Sequence, residues 1–184
     1  MLLLTLRGTP TIYYGEEIGM SDVSIPPALV QDPWEKQVPG HGLGRDPVRT
    51  PMVWTGDRHG GFTTGTPWLP LGRDAATRNV AVQTNDHQSL LSLYRDLLRL
   101  RRDEPALAVG TCAMVAAERS VLRYERHHAG RQLGIYLNFR DDPVEVSCRP
   151  RNIVYTTATR SLRGAVDDKV RLLDHEGVVI NHTA

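Results

Sequence analysis

Cysteine is scarce in this chain: Cys112 and Cys148 are the two among 184 residues. Two thiols are too few for a disulfide framework, and nothing has zinc-ligand spacing. Both lie in strand-like runs and read as buried free thiols. An excess of either charge is also missing. With 22 basic and 21 acidic residues the net charge is +1, so neither nucleic acid nor a membrane is expected as a partner. Long apolar runs are absent. The opening Met1-Leu2-Leu3-Leu4-Thr5-Leu6 ends at Arg7, far short of the roughly 20 residues of a membrane span, with no basic region before it and no cleavage site after it. There is no Gly-rich phosphate loop, serine elbow or cysteine nucleophile, and the histidines have no partner at ligand spacing, so no cofactor and no metal are expected. Repeats and low-complexity tracts are missing as well. What is present is 40% hydrophobic content, which is enough for a globular core.

Along the chain the texture changes three times. Residues 1 to 14 read as the end of an apolar helix, a Gly8-Thr9-Pro10 turn and a short buried strand over Thr11 to Tyr14, because Leu-rich sequence gives way to β-branched and aromatic residues. From Gly15 to about Leu71 prolines and glycines punctuate nearly everything. So long a stretch without regular structure is usually functional or disordered, and Trp34, Trp54, Phe62 and Trp68 predict an ordered loop anchored by aromatic residues. The stretch "DHQSLLSLYRDLLRLRR" predicts a helix over 86–102, with Asp86 as N-cap, Leu90, Leu93, Tyr94, Leu97 and Leu100 on one face, basic residues at its end and Pro105 as its stop. After Ala106, short apolar runs at Val121–Tyr124, Leu133–Leu137, Val144–Val146, Ile153–Tyr155 and Val178–Ile180 predict a second domain, a small β-sandwich.

Two constellations carry possible chemistry. Glu16 and Glu17 close the stretch "YYGEE", yet neighbours in an extended chain point to opposite faces. A retaining glycosidase needs carboxyls about 5–5.5 Å apart across one bond, so at most one of the two faces a given site. A role in tying down the loop by accepting backbone or arginine hydrogen bonds is the stronger alternative. The stretch "GLGRDPVRTPMVW" sets Arg45 and Arg49 in a Gly/Pro-stiffened loop, where a guanidinium can hold sugar hydroxyls or a carboxylate in a bidentate manner. Bonding of loop carbonyls is an equally weighted reading for both.

Taken in order, "LLLTLRGTPTIYYGEEIGM", "QDPWE", "GRDPVRTPMVW", "GFTTGTPWLPL", "NVAVQ" and "SLLSLYRDLLRLRR" closely resemble the C-terminal part of bacterial α-glucosidases of the α-amylase superfamily, a group that includes oligo-1,6-glucosidases and trehalose-forming relatives. The likeness is specific to about Leu107 and looser beyond, where "LLDHEGVVI" is similar to the close of the family's C-terminal β-domain. The resemblance implies an α/β plus all-β chain: residues 1–106 as the last strand, long loop and closing helix of a (β/α)₈ barrel, and residues 107–184 as a small antiparallel β-sandwich. It implies a loop that walls a glucose pocket, with Arg49, Arg45 and Glu16 as substrate-binding residues and Arg49 foremost. The family's nucleophile, acid/base and third carboxylate belong to earlier strands, so no catalytic residue is assigned here and hydrolytic activity is not expected of this chain alone. Met1 then reads as an internal methionine or the start of a broken gene, and the expected partners are an α-linked gluco-oligosaccharide and the missing N-terminal barrel portion. A noncatalytic carbohydrate-binding or structural module, or part of a related transglycosidase, is the alternative. The expected location is cytoplasmic.

Overall fold

The computed structural model describes residues 1–118, 120–148, 151–158, 165–166 and 168–183. Five α-helical segments are assigned among them: α1 (Leu2–Thr5), α2 (Pro33–Gln37), α3 (Val80–Thr84), α4 (Leu90–Asp103) and α5 (Pro105–Ala108). Eight strands follow: β1 (Thr111–Glu118), β2 (Val121–His128), β3 (Arg131–Asn138), β4 (Val144–Ser147), β5 (Arg151–Thr156), β6 (Ala165–Val166), β7 (Lys169–Leu172) and β8 (Gly177–Asn181). Packing divides the chain into two compact units, one made of Met1–Thr11 with Arg95–Ala184 and the other of Ile12–Tyr94.

In the first unit β1-β2-β3-β8-β5-β6 form one antiparallel sheet and β4-β7 a second. Alternation along β3 explains how that unit is filled. Leu133, Ile135 and Leu137 face one side, where they meet Tyr124, Val179, Ala106 and Leu107 with Leu2, Leu6 and Leu100 beside them. Tyr136 faces the other side, packed with Val178 and Ile180 of β8, Val170 and Leu172 of β7, and Cys148. Period-2 side-chain direction thus serves two apolar layers from one central strand. Each of the five apolar runs named from the sequence lies within a strand, and the strand-like run at Cys112 is β1; β6 and β7 were not anticipated. Both cysteines are free, but only Cys148 is buried and Cys112 is half-buried; burial pushes the Cys148 thiol up.

Two buried arginines close this unit. Arg126, wholly buried on β2, donates to the carbonyls of Thr5 at 2.6 Å, Gly110 at 3.1 Å and Thr111 at 3.3 Å. Arg101 donates to Leu4 and Leu6, both at 3.0 Å, and to Gly8. These satisfy carbonyls at and beyond the end of α1 that the short helix leaves without partners. The Thr5 hydroxyl also bonds the Tyr124 phenol.

In the second unit Ile18, Met52, Val53 and Leu91 form a small core with Leu71 and Val80 against it. Three expectations require correction. No ladder forms over Thr11 to Tyr14, and Tyr13 and Tyr14 are exposed. A strand exists by pairing, and among the described residues no strand lies beside this segment. The helix starts at Leu90, because Ser89 and not Asp86 is its cap: Ser89 Oγ accepts the Ser92 N–H at 3.2 Å, while Asp86 closes a local turn onto the Gln88 N–H at 2.7 Å. As expected, α4 ends ahead of Pro105, at Asp103, and Pro105 then opens α5 at its first position, where its missing N–H costs nothing. Finally, the aromatic residues do not anchor the long loop. Trp34, Trp54, Phe62 and Trp68 are all exposed, and polar side chains hold the chain instead. Asp46, buried, accepts the Gln31 and Asp32 N–H groups at 2.6 and 2.8 Å. Asn79, fully buried, caps α3 through the Val82 N–H at 2.9 Å and donates to the Ala75 and Ala76 carbonyls. Gln83 donates to the Ile18 carbonyl at 2.8 Å and accepts the Leu91 N–H at 3.1 Å.

Candidate carbohydrate site

Gly15 and Gly19, both at positive φ, bracket the single turn Glu16–Ile18. A side chain at 15 would also strike Met20, so glycine is required there. The turn sends its two carboxylates to different places. Glu16 accepts the Tyr13 N–H at 3.2 Å and lines a cavity of about 410 Å³ with Tyr13, Met20, Pro47 and Val48. Glu17 accepts the Gly15 N–H at 2.8 Å and lines an adjoining cavity of about 300 Å³ with Tyr14, Arg49, Trp54, Phe62 and Trp68, the two cavities sharing Tyr14 and Thr50 as walls. Each carboxylate therefore ties down its own turn and also edges a cavity. Burial first, then the nearby Glu16 and Glu17 charges, hold the Tyr94 phenol above its ordinary range.

The arginines also separate. Arg49 is exposed and reaches the Glu17 cavity, whose floor includes Thr50 and Met52. Tyr14 is fixed there by donating to the Thr50 carbonyl at 2.9 Å and stacks on Tyr13 with ring centroids 5.2 Å apart. Burial and Tyr13 raise the Tyr14 phenol, and the Arg49 charge opposes them. Arg45 is not among the walls of that cavity. Its Nε donates to the Asp32 carboxylate at 2.7 Å, and this hydrogen bond above all holds Asp32 below the usual carboxylate range. Asp32 also caps α2 through the Trp34 N–H at 2.8 Å. Of the three residues proposed from the sequence, Arg49 thus shares a cavity with Glu17, Arg45 serves the loop frame, and Glu16 edges a different cavity.

Of the two glutamates, the sequence favours Glu16 over Glu17 as a site residue, and it marks Trp34, Trp54, Phe62 and Trp68 as anchors of the loop. The signal available was their company. Three large aromatics lie within fifteen residues of a stretch full of glycine and proline that has little apolar sequence of its own to pack them. Among the described residues no group of three or more His, Cys, Asp or Glu side chains is arranged to hold a metal ion, and no helix is long and apolar enough to cross a membrane.

With this geometry in hand, comparison with known proteins is informative. Residues 1–110 match the family model described as alpha amylase, catalytic domain. The chain is 40% identical over 141 residues to a probable alpha-glucosidase of Rhizobium meliloti (strain 1021), covering 77% of this chain and 26% of that protein. It is 32% identical over 171 residues to an oligo-1,6-glucosidase of Parageobacillus thermoglucosidasius, covering 83% and 30%. Among solved structures, that of an alpha-glucosyl transfer enzyme, XgtA, superposes with a TM-score of 0.82 at 34% identity, covering 98% of this chain and 34% of that one. The chain therefore spans roughly a quarter to a third of the length of these relatives.

Proposed function

Since this chain belongs to the α-amylase catalytic-domain family, we propose that it is the C-terminal portion of a retaining α-glucosidase, cytoplasmic, acting on the α-glucosidic bonds of short oligosaccharides of the maltose or isomaltose type. In such an enzyme an aspartate attacks the anomeric carbon, a glutamate protonates the departing sugar, and water releases glucose from the covalent intermediate. Residues 1–106 then correspond to the closing part of a (β/α)₈ barrel and residues 107–184 to a β-sandwich that follows it. This chain contributes pocket wall and not the reacting carboxylates, so it is inactive without the remaining barrel. The observation that carries this reading is the cavity shared by Arg49, Glu17 and Tyr14. A guanidinium and a carboxylate there offer donors and acceptors to sugar hydroxyls, while Glu16 opens elsewhere and leaves no opposed pair. Arg45 supports the site by holding the loop through Asp32.

The likeness to a glucosyl transfer enzyme supports a second reading, in which a sugar and not water accepts the glucosyl group. Both readings are tested together by saturation-transfer NMR of the purified chain with maltose and isomaltose. Contact to glucosyl protons is expected, lost in Arg49→Ala, with no turnover of either sugar. Absence of contact, or turnover that Glu17→Gln abolishes, would refute the assignment.

A further inference from the structure

The helix α3, built from the motif "NVAVQ", is five residues long, too short to be stable in isolation. Its first two N–H groups go to the segment that follows Arg49. Val80 donates to the Val53 carbonyl at 3.1 Å and Ala81 to the Trp54 carbonyl at 2.9 Å, and the Val80 side chain packs against the core that contains Met52 and Val53. The other end of α3 reaches the turn that carries Glu17. There Gln83 uses both ends of its amide: Nε2 donates to the Ile18 carbonyl at 2.8 Å, and Oε1 accepts the Leu91 N–H at 3.1 Å. Ile18 is 1% exposed and shares its core with Leu91, so its side chain and its carbonyl are both held. The next carbonyl, that of Gly19, accepts from Arg78 Nη1. Arg78 is itself paired through Nε with Asp74 at 3.1 Å.

We infer that Gln83, with Arg78 beside it, is a positioning residue for the proposed sugar site: from α3 it holds the turn bearing Glu17 at a set separation from the segment bearing Arg49. This inference rests on the carbohydrate reading of that cavity and adds what fixes its polar geometry. Glu17 immediately precedes Ile18, and its carboxylate, bonded to the Gly15 N–H at 2.8 Å, lines the cavity that Arg49 also lines. The turn's own bonds, from the Ile18 N–H to the Gly15 carbonyl at 3.2 Å and from the Gly19 N–H to the Glu16 carbonyl at 3.0 Å, fix its shape. They do not fix its place. That comes from the two carbonyls gripped by Gln83 and Arg78. Donors and acceptors on two separate segments bind one ligand well only when held within about 0.5 Å of the productive arrangement, and α3 spans the two segments. The Gln83 amide also satisfies an N–H that the start of α4 leaves without a partner, so one side chain has a structural end and a positioning end.

The test is Gln83→Glu in the full chain, read by amide hydrogen exchange and by NMR titration with maltose. The substitution keeps an acceptor for the Leu91 N–H, at a helix start where negative charge is favoured, and removes the donor to the Ile18 carbonyl. At pH 7 exchange at Leu91 should stay within about threefold of the parent, while exchange at Ile18 and Gly19 accelerates about tenfold and maltose binds about tenfold more weakly. As pH falls through about 4.3 the introduced carboxyl gains a proton that it can donate, and affinity relative to the parent at the same pH should return. Loss of packing alone would not be reversed by a proton. Arg78→Met, on the surface, leaves the core intact and should weaken maltose about threefold. Maltose affinity unchanged in a folded Gln83→Glu chain, or in Arg78→Met should that chain not fold, would overturn the positioning role and leave the carbohydrate reading standing, as would a loss of affinity that acid does not reverse. No contact between maltose and the parent chain would overturn both.

Discussion

Replacing Asp46 by alanine should unfasten the loop that carries Arg49. One oxygen of that buried carboxylate accepts two backbone amides, from Gln31 at 2.6 Å and Asp32 at 2.8 Å. Hydrogen bonds to a charged acceptor contribute about 1.5–3 kcal/mol each. Asp32 is buried and its N–H is left without a partner, whereas exposed Gln31 regains water, so the combined loss is about 2–4 kcal/mol rather than twice the single value. Since 1.4 kcal/mol is a factor of ten, native-state hydrogen exchange at these two amides should accelerate about 30- to 1000-fold. The Asp46→Asn substitution keeps an oxygen in place but not the charge. Neutral bonds are about half as strong, so this variant should show roughly half the effect in kcal/mol. The Arg49 N–H itself donates to the Asp46 carbonyl at 3.0 Å, which links this clasp to the site: maltose binding should weaken in the same order, alanine more than asparagine. Exchange at residues 31 and 32 within about threefold of the parent in Asp46→Ala would show that the carboxylate does not hold the loop.

Arg126→Leu should destabilise the unit containing the sheets by about 3 kcal/mol or more, because three carbonyls lose their donor at once and an unsatisfied buried acceptor costs about 1–3 kcal/mol; a fall in Tm of less than about 5 °C would refute that role. Burial pushes the Tyr124 phenol up to about 12 from 10.0. The unfolded chain therefore loses this proton first, so the stabilisation is whole below about pH 10 and disappears as pH rises towards 12, a change on the order of 3 kcal/mol. In urea titrations Tyr124→Phe should lack that part of the alkaline decline, and superimposable profiles would count against it. Glu125 moves the other way: burial raises its carboxyl, but the Gln132 hydrogen bond and the His182, Arg123 and His127 charges bring it net below 4.5. Its contribution is present above pH 4.5 and lost as pH falls through the lower folded value, so Glu125→Gln should flatten the acid limb of the same profile.

The β-rich half was legible because its evidence is local. Continuous short apolar runs over Leu133–Leu137 and Val178–Ile180 mark strands buried on both faces whatever the partner strand, and both became central strands. Thr11–Tyr14 has the same composition but no ladder, since pairing is a property of two segments and composition reports on one. Arg101 fits a helix-end cation by position, yet it spends its donors on Leu4, Leu6 and Gly8, more than ninety residues away in sequence. A guanidinium bonding distant carbonyls leaves no local periodicity to read.

The long loop failed in a more instructive direction. Its aromatic residues were expected to anchor the loop because disordered linkers are poor in such side chains, but the small core there is made of Ile18, Met52, Val53 and Leu91. Instead Asp32, Asp46 and Asn79 are inside and the rings are outside. Buried polar groups are acceptable only when their hydrogen bonds are met, and these three meet theirs with backbone N–H and carbonyl groups that no regular ladder uses. A loop held by its own amides does not need its aromatics for stability. The two adjacent glutamates fit the same logic. Each spends one oxygen on a nearby amide, each opens on its own cavity, and a site that depends on two carboxyls facing one bond has to find them in other residues.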